Sequence, residues 1–108
     1  MEIAFHTKEL RRMCESELLI SKEFGAIAGR KLQNRIFDIL SAESVDELPI
    51  KGIYCENFFY QLNFAKGKYI LFEANHIKNP TNSDGSIDWR NVRRVKIVSI
   101  GGHGDDNQ

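Results

Sequence analysis

Long apolar runs, cysteine and net charge are all scarce in this chain, and each shortage narrows what it can be. No stretch of the 108 residues is apolar enough over membrane-spanning length, and no leading apolar run with a basic flank suggests a secretory signal. The two cysteines, Cys14 and Cys55, lie far apart and without metal-ligand spacing, so neither a disulfide scaffold nor a zinc ribbon is indicated. Reduced thiols in a cytoplasmic protein are the expectation. Fifteen basic and fifteen acidic residues cancel, so the chain as a whole is not an electrostatic trap for nucleic acid. Arg11-Arg12, Arg30-Lys31, Arg35, and Arg93-Arg94 with Lys96 are local basic clusters, while Asp105-Asp106 makes an acidic tail. Each cluster alone reads as a solvated surface.

Chemical signatures are equally sparse. His6, His76 and His103 are scattered, and no His-x-x-x-His or Cys-x-x-Cys spacing exists, so no metal and no cofactor is expected. A nucleophile elbow, a Walker loop and a dinucleotide-binding glycine pattern are absent. Gly101-Gly102-His103-Gly104 is glycine-rich but has no following helix to cradle a phosphate. Glu43, Asp46 and Glu47 cluster, yet they read as a solvated linker.

What is present is a clear order of elements. Glu2 to Phe5 alternates as a short strand, and Thr7 then suits a helix N-cap. Ser21 suits a second cap, followed by an apolar stripe of Phe24, Ile27, Ala28, Leu32, Ile36, Ile39 and Leu40. The Gly25-x-x-x-Gly29 step within it predicts close approach of two helices. Ser44 to Glu47 predicts a short turn. Phe58, Tyr60, Leu62 and Phe64 then lie on one face of a strand with Phe59, Gln61 and Asn63 opposite, Lys66-Gly67 turns the chain, and Lys68 to Asn75 returns as a hairpin. After a turn-rich loop comes a helical turn with Trp89 as its apolar plug. Arg93 to Ile100 reads as a central strand with Val95 and Ile97 on one face and Val98 and Ile100 on the other.

This order predicts one α+β domain over 1–108, with 103–108 a flexible tail. An N-terminal strand and a two-helix hairpin pack on one face of a small curved, mostly antiparallel sheet. The opposite face stays open as a binding surface. If the last strand pairs beside the hairpin, His103, Arg94, Lys96, Lys68, Tyr60 and Tyr69 share one groove. Such a set suits metal-free RNA cleavage, in which the 2′-OH is the nucleophile, histidine moves protons and cations stabilise the phosphate.

The opening MEIAFHTKELRRMCES, the helix FGAIAGRKLQNRIFDILSAES followed by DELP, the strand KYILFEAN and the segment DGSIDWRNVRRVKIVSIGGHG together resemble one family. They are similar, nearly end to end and in order, to the HigB-type "killer" toxins of type II toxin–antitoxin systems, within the RelE/ParE superfamily. The most specific pieces are Phe5, Thr7, Leu10, Cys14 and Glu17, and the Asp-Gly-x-Ile-Asp-Trp run ending at Trp89. The resemblance implies a RelE-like fold and a cytoplasmic, ribosome-dependent endoribonuclease that cuts mRNA. It also implies a cognate helix-turn-helix, HigA-like antitoxin, with DNA contacted only through that partner. By the same resemblance His103, Tyr69 and Tyr54 are the catalytic or base-stacking candidates, and Lys68, Arg93, Arg94 and Lys96 bind RNA phosphate.

The chain departs from the family pattern near the chemistry. Tyr69 is followed by Ile70 where the toxins often carry arginine, and Gly101-Gly102 stand where they often carry Asp-Tyr before the histidine. Loss of a charge-stabilising group of this kind costs several powers of ten in rate in other enzymes. A catalytically impaired binding module, which sequesters antitoxin or blocks another target such as DNA gyrase, is therefore the alternative.

Overall fold

The computed structural model describes residues 1–55 and 58–102. The expected flexible tail and His103 lie outside the described residues. The described residues form an α+β protein with three helices and one five-stranded mixed sheet. Strand β1 (Glu2–Phe5) leads into α1 (Lys8–Cys14), α2 (Glu17–Phe24) and α3 (Ala26–Ser41). Strands β2 (Ile53–Cys55), β3 (Phe59–Ala65), β4 (Lys68–Ala74) and β5 (Arg94–Gly102) follow, in the sheet order β1-β5-β4-β3-β2. Only the β1–β5 pair is parallel among the described strands.

Local chemistry explains the helix ends. Thr7 Oγ1 accepts from the Leu10 N–H at 3.0 Å, as its position in the sequence predicted. The second cap is Ser16, whose hydroxyl accepts from the Leu19 N–H at 3.1 Å, and not Ser21, which lies inside α2. The single helix expected from Ser21 to Leu40 is broken at Gly25, where φ is +87° and ψ 167°. That backbone conformation is essentially reserved for glycine. The hydrophobic periodicity runs across this break because both helices bury their apolar residues in the same core.

Gly29, four residues on, has the role its spacing predicted. It is buried in α3 against α2, and a β-carbon there would lie 2.9 Å from Ile20 Cγ2. Ile20, Leu32 and Ile39 are fully buried between the helices and the sheet. Two residues of the expected apolar stripe lie on the wrong side of α3. Ile27 is 78 % exposed and Leu40 53 % exposed, because the buried arc is centred on Gly29, Leu32, Ile36 and Ile39 instead.

Alternation in the strands divides the sheet into two faces. Tyr60, Leu62 and Phe64 of β3, Ile70, Phe72 and Ala74 of β4, and Val95 and Ile97 of β5 are buried in one cluster with the helix residues. Phe58 lies outside β3, exposed, at a φ of +69° that a bulky residue rarely takes. Trp89 starts a short 3-10 turn and closes the core against Tyr60 and Phe72, with ring centroids 5.1 and 6.1 Å away. The expected turn after Ser44 is the 3-10 segment Val45–Glu47.

Strand β5 is central, between β1 and β4, but its faces are not those of a regular strand. Leu71 pairs with Ser99 and Phe72 with Ile97, so Val98 is an extra residue on β5. A bulge of one residue reverses the alternation beyond it. Ile100, expected opposite Ile97, therefore packs against the same core, leaving Ser99 and Gly101 on the other face.

Gly29→Val is expected to lower stability by about 1–3 kcal/mol, since the added methyl groups must displace a fully buried Ile20. Urea denaturation of the variant beside the parent protein measures this directly.

Candidate functional site

The three helices leave one sheet face without a layer over it among the described residues. Alternation places Phe59, Gln61 and Asn63 of β3, Tyr69, Leu71 and Glu73 of β4, and Arg94, Lys96, Ser99 and Gly101 of β5 on that face. Gln61 Nε2 donates to Asn63 Oδ1 at 3.2 Å. A half-buried Lys96 Nζ lies 3.4 Å from the Glu73 carboxylate across the β4–β5 pair. One strand further, Arg94 reaches Glu2 of β1 at 3.5 Å.

The residues singled out from the sequence are distributed along this surface instead of meeting at one point. Tyr69 pairs with Gly101 and Lys68 with Gly102, at the far end of β5. Arg94 and Lys96 occupy the opposite end, and seven residues at about 3.3 Å each separate Arg94 from Gly101 by roughly 23 Å. Arg93 precedes the strand, and its backbone N–H donates to His76 Nε2 at 3.0 Å. A single scissile phosphate therefore cannot touch both ends. Lys68 alternates onto the face opposite Tyr69.

Tyr60, expected in the groove, and Tyr54, a stacking candidate, both lie away from the open face. Tyr60 is 2 % exposed in the core, where its hydroxyl accepts from the Gly52 N–H at 2.8 Å and burial raises its pKa. Tyr54 pairs with Tyr60 and so projects from the helix-side face, lying parallel to Trp89 at a centroid distance of 6.1 Å. It lines a cavity of about 430 Å³ with Phe58, Asn82, Asp88, Trp89 and Arg90, away from Tyr69. Short strand β2, which carries Tyr54, escaped the sequence reading because three residues show too little alternation to register. Leu71, Glu73 and Ser99 also escaped it as surface groups, although the alternation that placed Tyr69 implied the first two.

Gly101 is open space. A β-carbon built on it meets nothing within 4 Å, so no steric demand of the described residues requires glycine beside Tyr69. The two cysteines are free thiols. Burial and the neighbouring Glu15 push the Cys14 thiol up to about 12, which removes it as a nucleophile near neutrality. Among the described residues, no three His, Cys, Asp or Glu side chains gather as a metal-ligand set, and no helix is long and apolar enough to cross a membrane.

These features define a class: an α+β protein with helices on one face of a mixed sheet and a polar-aromatic surface on the other. Compared with protein-family models, with curated proteins and with solved structures, the chain matches none.

His76 gives this region a pH dependence of known sign. Its ring must be neutral at Nε2 to accept from Arg93, and partial burial together with the charges of Arg94 and Arg93 lowers its pKa. A lowered folded value means that the stabilisation is complete above the usual histidine range. It is lost as pH falls through the lower folded value. Stability is therefore expected to decline as pH drops through and below the usual histidine range, and a His76→Phe variant is expected to show a flatter profile there. Denaturant midpoints measured across the range test this.

Proposed function

We propose that the chain is a RelE-like toxin of a type II toxin–antitoxin system that inhibits translation by metal-independent, ribosome-dependent mRNA cleavage in the cytoplasm. The observation that carries this reading is the sheet with one face packed and one face open, whose central strand β5 ends beside Tyr69. The sequence of elements, a strand, a helical layer, an antiparallel hairpin and a last strand beside the first, supports a RelE-like fold. A cognate HigA-like antitoxin is the proposed neutralising partner.

On this reading the work is divided along β5. Chemistry belongs at the end where Tyr69 faces Gly101, with Tyr69 as a stacking or proton-transfer group and His103, which follows Gly102, as the acid or base. Lys68 pairs with Gly102 at this end, on the face opposite Tyr69, and so flanks this site without lining it. Arg93, Arg94 and Lys96 lie too far along the strand to serve the same phosphate and would hold neighbouring phosphates instead. The carboxylate partner of Arg94 does not prevent this. Glu2 and Arg94 are both more than half exposed, and a surface pair of that kind is worth about 0–1 kcal/mol.

One observation favours the second reading, a catalytically impaired module that sequesters antitoxin or blocks a target such as DNA gyrase. Both β5 cations on the open face, Arg94 and Lys96, sit beside carboxylates, so this surface offers RNA little net positive charge.

Cleavage of a translated mRNA in a cell-free translation extract separates the two readings. The protein is expected to produce discrete cuts, and His103→Ala is expected to reduce them by about a hundredfold or more. Cleavage that persists unchanged in His103→Ala removes His103 from the mechanism. Growth arrest in cells without any cut messages establishes the binding module instead.

A further inference from the structure

The two long edges of β5 are not equally occupied. On one side β4 pairs with it as far as Gly102. On the other, the ladder to β1 ends at the Phe5–Ile97 pair, with a final bond from the His6 N–H to the Ile97 carbonyl at 2.9 Å. There β1 stops and the chain turns through Thr7 into α1. Residues 98–102 continue for about 16 Å at the usual strand rise, with no described strand on this edge.

Beside that edge lies a groove of about 360 Å³ between β5, α1 and α2. Leu10, Met13, Phe24 and Ile100 supply its apolar lining. Glu9 of α1 and Glu23 of α2 line it as well, and neither carboxylate has an ion-pair partner among the described residues. An open strand edge, an adjoining apolar trough and two unpaired acids make a composite surface.

We propose that this surface binds an extended, basic segment of a partner protein, which adds to the sheet as a strand along 98–102. Main-chain groups at the free edge supply sequence-independent hydrogen bonds, the trough takes alternate apolar side chains, and Glu9 and Glu23 select lysine or arginine. The acids also decide against other occupants. Two copies pairing edge to edge would bring like charges together, a recognised defence of exposed edges. The chain's own terminal segment carries Asp105-Asp106 and has the same wrong sign. This inference is independent of RNA cleavage, because it uses the opposite edge of the strand from β4 and none of the residues assigned to chemistry.

Fluorescence anisotropy with labelled alternating peptides tests it on the full chain. The probes are a Lys-Val hexapeptide, its Glu-Val counterpart, and the Lys-Val peptide N-methylated at alternate residues in each of the two phases. The Lys-Val peptide is expected to bind at least about tenfold more tightly than Glu-Val, a difference of about 1.4 kcal/mol. One N-methylated phase is expected to retain binding and the other to lose about tenfold, because only alternate residues face the edge. Glu9→Gln with Glu23→Gln is expected to weaken the Lys-Val peptide about fivefold or more and to reduce its salt dependence. Absence of Lys-Val binding, equal binding of the acidic peptide, identical behaviour of the two phases, or an unaffected double variant would each overturn the proposal. So would sedimentation showing a dimer that Ser99→Lys dissolves.

Discussion

The paired ladder of β4 and β5 is the interaction on which the rest of this molecule depends. It carries the β3–β2 side of the sheet through β4 and the β1 edge through β5. It also brings Ile70 and Phe72 against Ile100 and Ile97, all within or against the buried cluster that receives the helices. Because successive side chains point to opposite faces, any register error here would turn the core outward. The extra residue Val98 is therefore not a minor irregularity. It lets one strand keep Val95, Ile97 and Ile100 on the packed side while presenting Arg94, Lys96, Ser99 and Gly101 on the other.

From this division the functional geometry follows. Helices α2 and α3, held close by Gly29 against Ile20, take one face and leave the other to the strands. The open face is not a uniform basic groove. It grades from ion-paired Arg94 and Lys96 at one end to Tyr69 beside an unfilled Gly101 at the other. A polymer laid along β5 would meet these groups in succession, which suits a long ligand better than a small one. Gly101 leaves room at the tyrosine end, and no steric demand of the described residues requires glycine there.

Most of the framework was legible in the residues themselves. Period-two alternation located β3 and β4, Thr7 capped its helix, Gly29 marked the helix contact, and Trp89 closed the core. What escaped has specific physical causes. A glycine at positive φ interrupts a helical periodicity without changing its hydrophobic pattern, so the break at Gly25 was invisible. A bulge adds one residue without a compositional mark, so Ile100 was assigned to the wrong face. Edge strand β2 needs only three residues when its partner is already fixed. For the candidate site, the sequence named residues without giving their arrangement. Sequence proximity suggested one groove, whereas the length of β5 separates Arg94 from Gly101, and pairing with Tyr60 turns Tyr54 to the packed side.

On the proposed function, the open sheet face is the working surface and the helices are its support. The most direct measurement is a two-dimensional amide NMR titration of the isotope-labelled chain with a short single-stranded RNA. Shift changes are expected to concentrate at Tyr69, Leu71, Lys96, Ser99 and Gly101 on β4 and β5. Changes confined to the exposed side of α3 around Ile27 and Arg30, with β4 and β5 unmoved, would contradict it.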